Sequence, residues 1–245
     1  MSAIKIRACL TMGMPVELNS TMNELIKKIA DLPPDFHGAG SISPRVLRAL
    51  VRHGEGKLIN TMETGCGRST LLFSHLSKNH KVFAVDDGNS ISAVRSSDLF
   101  NSSTIEFIES PTQLSLPTYT FENPLDMAFI DGPHGYPFPD LEYYYVYPHL
   151  KEGGLLILDD IDIPTIYNIY KFLREDAMFE LLEVVDDTAF FKRTSAPVHD
   201  PFADGWWLQN YNKKRWPKRF RTKWVHLAVK CMPEKLKLAI KKLRS

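Results

Sequence analysis

Leu58-Ile-Asn-Thr-Met-Glu-Thr-Gly-Cys-Gly-Arg-Ser-Thr-Leu-Leu-Phe73 reads as a short apolar strand, a glycine turn and the start of a helix. Glu63 closes the strand, Gly65 and Gly67 make the turn, and Ser69 and Thr70 open a helix that runs on through Leu71, Leu72, Phe73 and Leu76. Glycines let the backbone turn tightly and let a ligand come close to it. The helix start behind them offers unpaired N–H groups and a positive dipole end. A strand, Gly-x-Gly, helix unit is therefore a nucleotide-type pocket at the carboxyl end of a first strand, unless the glycines serve only a tight turn. Lys81-Val-Phe-Ala-Val85 is a second apolar strand, ending in Asp86-Asp87 about 20 residues past the glycines. An acid at that tip is placed to bind a ribose diol.

The third glycine of a dinucleotide fingerprint is missing, because Ser69 and Thr70 occupy that region. Glu63-x-Gly-x-Gly-x-Ser-Thr70 resembles instead the first motif of the class I S-adenosylmethionine-dependent methyltransferases. The resemblance implies that Glu63 orients the turn near the methionine moiety and that Asp86 holds the ribose. Glu63, Gly65, Gly67 and Asp86 then bind the cofactor, with Ser69 at the helix start in the same set.

Further along, Thr104-Ile-Glu-Phe-Ile108 alternates as a strand, Leu125–Ile130 is a buried strand ending at Asp131, and Leu155–Leu158 ends at Asp159-Asp160. Helices are expected over Ile91–Phe100, over Pro139–Leu150 until Gly153-Gly154 breaks the pattern, and over Ile163–Met178. Glu180–Val185 and Thr188–Lys192 flank Asp186-Asp187 as a hairpin. Strands alternating with helices and closing on a hairpin predict an α/β doubly wound, mostly parallel sheet with an antiparallel end. This is similar to the seven-stranded, Rossmann-like methyltransferase sheet, over about Leu58 to Arg193. In that family the tip after the third strand borders the adenine, which implies roles there for Glu109 and Ser110.

Three of these strands end in carboxylates, and in an open α/β sheet all such tips face one crevice. With Asp86 assigned to the ribose, Asp131, Asp159 and Asp160 crowd together on two neighbouring tips. Crowded carboxylates repel unless a cation neutralises them, and all-oxygen ligation suits Mg²⁺ or a similar hard ion. The alternative is that Asp159 and Asp160 cap the next helix. His134 follows Asp131 by three residues, and an imidazole suits a general base for a hydroxyl proton. Phe129-Ile-Asp-Gly-Pro-His-Gly-Tyr136 with Leu150–Asp160 resembles the metal-dependent O-methyltransferases of the macrocin (sugar) and catechol types. That resemblance implies Asp131, Asp159 and Asp160 as metal ligands and His134, with Asp131, as the catalytic pair. Aspartate rather than asparagine at 160 favours the sugar type, with a small-molecule or glycan hydroxyl as acceptor. Tyr136 is a candidate acceptor contact, whereas Tyr143–Tyr147 read mostly as packing residues. An NAD(P)-dependent oxidoreductase on a similar sheet is the alternative, and a non-catalytic protein acting through its tail is a third reading.

The 245 residues, 44% of them hydrophobic, suffice for one α/β core with appendages. The expected division is a helical extension covering the substrate at 1–57, a core at 58–194 and a basic aromatic tail at 195–245. Within the extension, Asn19–Leu32 and Ser43–Val51 read as helices, each with a polar cap. Three scattered cysteines fit free thiols, no apolar run reaches membrane-spanning length, and the start is too polar for a signal peptide. A cytoplasmic protein is expected.

The net charge of +1 hides an asymmetry. From Gly205 to Ser245 there are 13 Lys and Arg against one acid, so the rest of the chain is acidic. Asn212–Trp224 interleaves cations with aromatics, and Leu236, Ile240 and Leu243 form a helical stripe among lysines. Such a tail fits an anionic membrane surface, which would place the protein at the membrane periphery. Equally it packs on the acidic body or on a second subunit of a homo-oligomer. Nucleic acid is disfavoured, since no base-reading motif is present.

Overall fold

The computed structural model describes residues 20–38, 42–54, 56, 58–200, 204–215 and 232–233. The chain divides into a unit Met1–Ala203 and a unit Asp204–Ser245. In the first unit seven strands form one sheet: β1 Asn60–Thr64, β2 Asn79–Ala84, β3 Ile105–Glu109, β4 Leu125–Ile130, β5 Leu150–Leu158, β6 Phe179–Val185 and β7 Thr188–Arg193. Their order is β3-β2-β1-β4-β5-β7-β6, parallel except for β7, which runs antiparallel between β5 and β6. The register aligns Thr64 with Phe83 and Ile130, Ala84 with Glu109, and Ile130 with Leu158. The residues just after these tips therefore lie along one edge, where a parallel sheet places its ligands.

Helices cover both faces: α1 Ser20–Ala30, α2 Pro44–Gly54, α3 Arg68–Leu76, α4 Ser90–Ser96, α5 Thr112–Ser115, α6 Phe138–Val146 and α7 Pro164–Leu173. One face packs Met62, Phe83, Ala128 and Leu156 against α6 and α7 through Val146, Ile166 and Leu173. The other packs Met127, Phe129, Ile157 and Phe190 against α1, α2 and α3 through Ile29, Leu50 and Phe73. All six residues of β4 are buried, including Asp126, whose carboxylate accepts the Ile59 and Asn60 N–H groups at 2.8 Å. Burying a side chain such as Phe129 contributes roughly 1.5–3 kcal/mol.

Several expected boundaries move, each for a physical reason. The predicted helix over Ile91–Phe100 stops at Ser96, and Leu99 and Phe100 pack into the core from a loop. The predicted Ile163–Met178 helix stops at Leu173, and Met178 is again a buried loop residue. Pro139–Leu150 is helical only to Val146, and Tyr147–His149 form a 3₁₀ turn. Gly153 and Gly154 do not precede the next strand but lie inside β5. There the register jumps from Leu125↔Leu150 to Met127↔Leu155, and Gly153 takes φ 78°, which favours glycine. The hairpin turns through Asp186 and Asp187 as expected, with Asp186 at φ 53°.

The N-terminal helices are not set apart from the core, since Ile26, Ile29, Val46, Leu47 and Leu50 belong to the same apolar cluster as α3 and β4. Ser43 caps α2 by accepting the Val46 N–H at 3.2 Å. At the other end, the unit extends past the expected boundary at 194/195. The Arg193 guanidinium donates to the carbonyls of Thr194 and Ala196, and the Tyr147 hydroxyl donates to the His199 carbonyl at 2.7 Å.

In the second unit, Trp206–Leu208 form a 3₁₀ turn and α8 spans Asn210–Arg215. The Arg215 guanidinium lies 3.7 Å from the Tyr211 ring centroid, a cation–π contact at the start of the cation-aromatic stretch. The rest of that cation-aromatic stretch, and the stripe Leu236, Ile240 and Leu243, lie outside the described residues. Among the described residues no helix is long and apolar enough to cross a membrane.

Candidate active site

A cavity of about 530 Å³ opens along the carboxyl edge of the sheet. Gly65, Gly67 and Ser69 line one part of it, Ala84, Asp87 and Gly88 a second, Ser110 to Gln113 a third, and Asp131 to His134 with Asp159 and Asp160 a fourth. The glycine turn is shaped for it. Gly65 has φ 84°, and a Cβ there would stand 2.2 Å from the Asp131 carbonyl oxygen, so only glycine fits this crossing of the β1 and β4 tips.

Glu63 lies beneath the cavity. Its carboxylate accepts the Ser69 hydroxyl at 2.7 Å and stands 3.1 Å from His80 Nε2, all three residues being buried. His80 Nδ1 is in turn 2.7 Å from the Thr61 hydroxyl, and the imidazole stacks on Phe73. Glu63 thus ties the strand tip to the start of α3 and fixes the turn from below. Cys66 is a packing residue: burial pushes its thiol up to about 12, far from a reactive thiolate.

The residues expected at the ribose and adenine divide between the cavity wall and the surface. Asp86 is exposed and turned towards α4, accepting the backbone N–H groups of Ile91 at 2.9 Å and Ser92 at 3.2 Å. The Ser92 hydroxyl and these amides hold its carboxyl below the usual range. The neighbouring Asp87, not singled out from the sequence, is the acid on the cavity wall. Glu109 pairs with Arg95 at 2.6 Å on the surface, whereas Ser110 lines the cavity with Pro111, Thr112 and Gln113. Tyr136 is 79% exposed and off the cavity wall, whereas Phe83 and Phe138 line it.

At the acidic end the structure gathers a triplet different from the expected ligand set. One atom each of Asp131, His134 and Asp160 lies within 4.8 Å of the other two. His134 Nε2 is 3.1 Å from Asp160 Oδ2 and 3.7 Å from Asp131 Oδ1. The Thr165 hydroxyl donates to the His134 carbonyl and secures the loop to α7. Asp159 lines the cavity but stands outside the triplet, its Oδ1 taken up by the Thr188 hydroxyl that antiparallel β7 brings against it as a donor.

Electrostatically this end is incomplete. Burial raises Asp131, with Asp159 and Glu63 adding repulsion. Burial lifts Asp159 to about 6 and also raises Asp160. The nearby Asp131 carboxylate, with Asp160 and Asp159 around it, raises His134, so the imidazole tends to hold its proton. A bound proton blocks a general base, and a hard cation at the same place would replace it. The donor set, two carboxylates and an imidazole facing one point, fits a divalent cation that takes mixed oxygen and nitrogen ligands.

A buried glutamate that sequence reading missed joins the two ends. Glu142 on α6 is 1% exposed and accepts the Thr64 hydroxyl at 2.9 Å, while the Thr64 oxygen accepts the Asp131 N–H at 3.1 Å. A Cβ on Gly132 would meet this carboxylate at 2.3 Å, so Asp131-Gly132 passes directly over it. Burial lifts Glu142 to about 7. No motif marks it, since it sits in an ordinary aromatic helix segment.

With this geometry in view, the comparisons agree. Residues 62–161 match the family model of a methyltransferase domain. No curated protein sequence matches the chain. Among solved structures, a putative O-methyltransferase from Klebsiella pneumoniae is 13% identical, with a TM-score of 0.55 over 74% of this chain and 93% of that one. An O-methyltransferase from Bacillus cereus in complex with S-adenosylhomocysteine (SAH) is 18% identical, with a TM-score of 0.51 over 74% and 93%. A tomaymycin-synthesis O-methyltransferase from Streptomyces achromogenes, bound to S-adenosylmethionine, is 15% identical, with a TM-score of 0.52 over 70% and 90%. Residues 62–161 are thus similar to a methyltransferase domain, set in a fold shared with O-methyltransferases of solved structure.

Proposed function

We propose that the protein transfers the methyl group of S-adenosylmethionine to a hydroxyl of a small-molecule or glycan-type acceptor, assisted by a divalent cation such as Mg²⁺. The observation that carries this reading is the convergence of Asp131, His134 and Asp160 at one end of the cavity whose other end is the glycine turn. The cofactor supplies an electrophilic methyl, and a cation makes a nearby hydroxyl more acidic. Glu63, Gly65, Gly67 and Ser69 shape the donor end, with Asp87 in place of Asp86 on the ribose side and Ser110 at the adenine side. Asp131, His134 and Asp160 would hold the cation, with Asp159 supporting the strand tip from behind through Thr188. His134 then serves as a ligand rather than as the free base its spacing suggested. Catalysis rests chiefly on holding donor and acceptor in line.

In this reading residues 58–194 are the catalytic core, with the N-terminal helices as cover. The basic tail from Gly205 onward is an attachment to anionic lipid surfaces. Trp207 and Leu208, 54% and 61% exposed, just precede its first lysines and suit an interfacial position.

Calorimetric titration with S-adenosylmethionine and with SAH, each with and without Mg²⁺, tests the centre of this proposal. Binding of both ligands, followed by Mg²⁺-dependent turnover in a screen of sugar and catechol hydroxyls, is the expected result. Failure to bind either would overturn it. Binding without turnover across the screen would favour the non-catalytic alternative, for which lipid-vesicle sedimentation of the full chain is the next measurement.

A further inference from the structure

The loop between α1 and α2 crosses the cavity, and His37 and Gly38 from it form part of the wall. Three ties hold the loop there. The Gly38 N–H donates to the Gly88 carbonyl at 2.9 Å, and a Cβ on either glycine would come within about 3 Å of the other's backbone. Arg68, the first residue of α3, donates from its guanidinium to the carbonyls of Leu32 at 3.0 Å and Pro33 at 2.9 Å. Phe36 packs against the core cluster and meets the His37 ring edge-on at 5.4 Å. The imidazole is thereby seated over the glycine turn, with Nε2 only 2.8 Å from where a Gly67 Cβ would be. Gly67 has an extended backbone that any residue adopts, so what its missing side chain provides is room for His37.

Charge sets the direction in which a zwitterionic ligand lies in this cavity. Its far end carries Asp131, Asp159 and Asp160 and repels an anion. Its near end carries the N-terminus of α3, with a positive dipole end, and His37 beside it. The Arg68 guanidinium at this end is turned to the Leu32 and Pro33 carbonyls.

We propose that His37 is a binding residue for the cofactor: its imidazole N–H contacts the α-carboxylate of the amino-acid moiety, held between His37 and the start of α3. The N-terminal extension then recognises the donor as well as covering the acceptor side. This rests on the methyltransferase reading above.

The test compares two ligands that differ in that moiety alone, SAH and 5′-methylthioadenosine, which lacks the amino-acid end. Calorimetry on the wild-type chain, His37→Ala and His37→Gln is paired with thermal melts. For His37→Ala, SAH binding is expected to weaken about tenfold or more, as loss of a hydrogen bond to a charged group does. Methylthioadenosine binding should stay within about twofold, and His37→Gln, which keeps an N–H donor, should recover part of the loss. Equal weakening of both ligands would show that the histidine only props the loop and would overturn the assignment. No change with either ligand would also overturn it. Failure of the wild-type chain to bind SAH would instead remove the cofactor reading itself, and this inference with it.

Discussion

The two ends of the cavity stand on the same sheet edge but in opposite electrostatic conditions. At the glycine turn the buried acid is answered from within the chain: Glu63 meets Ser69 and His80, and His80 meets Thr61. At the β4 and β5 tips Asp131, Asp160 and His134 face one another, with Asp159 held beside them by Thr188, and burial raises every carboxyl. Buried polar partners from within the chain build a cradle at the glycine turn. An open cluster of like charge is tolerated in a fold when something else completes it, and here a cation fits.

The largest effect should come from disturbing the crossing where the two ends touch. Gly65→Ala would strain a left-handed residue and drive a methyl into the Asp131 carbonyl. The expected cost is about 3 kcal/mol or more, combining backbone strain with the clash. A thermal melt should show the loss, and SAH binding should disappear with it. A melting temperature near wild type would mean that the β1 and β4 tips are less tightly coupled than the geometry requires.

Next in size is the response to a cation. Mn²⁺ or Mg²⁺ should raise the melting temperature of the wild-type protein in a concentration-dependent way, reversed by a chelator. His134→Ala and Asp160→Asn should abolish that response at millimolar ion. Asp159→Asn should weaken apparent affinity only about tenfold, as loss of a supporting group does. If Asp159→Asn proved as damaging as Asp160→Asn, the ligand set would revert to the three aspartates expected from sequence.

Glu142 sits between the two ends, and its effect should depend on pH. Its carboxyl is raised to about 7 in the fold, above the usual range it has in the unfolded chain. The folded state therefore holds this proton more tightly. Stability from the group is fully present below about pH 4.5 and is lost as pH rises through 7. Glu142→Gln should thus gain on wild type between pH 5 and pH 8, by up to roughly 2–3 kcal/mol in unfolding free energy. A pH-independent difference between the two proteins would show that Glu142 does not carry this proton.

How much of this was legible depends on whether local or long-range chemistry sets the answer. β4 was readable because Leu125 and Met127 to Ile130 are apolar around a single acid, and the hairpin because two acids separate two apolar-rich runs. The ends of α4 and α7 were not, because Leu99, Phe100 and Met178 continue an apolar spacing while packing from loops. Asp159 and Asp160 read as equivalent neighbours. Only the antiparallel partner strand, with Thr188 opposite, ties up one of them. His134 was found by its spacing from Asp131, but its place among the ligand atoms follows from how the β4 and β5 tips align. Glu142 had no signal, because what matters is the strand tip it touches.

The smallest expected effects separate the two aspartates after β2. Both follow the same strand, yet Asp86 accepts the first amides of α4 while Asp87 faces the cavity. A residue that satisfies a helix start contributes to stability, whereas one on a cavity wall contributes to binding. Asp87→Ala should weaken SAH about tenfold by removing a charged acceptor for the ribose diol, and leave the melt nearly unchanged. Asp86→Ala should do the reverse, lowering the melting temperature by a few degrees with affinity kept. Both variants should bind Mn²⁺ as wild type does, because neither touches the open cluster. Loss of SAH affinity in Asp86→Ala alone would return the ribose to the residue that the motif names, and would mean that α4 gives up its cap when the cofactor enters.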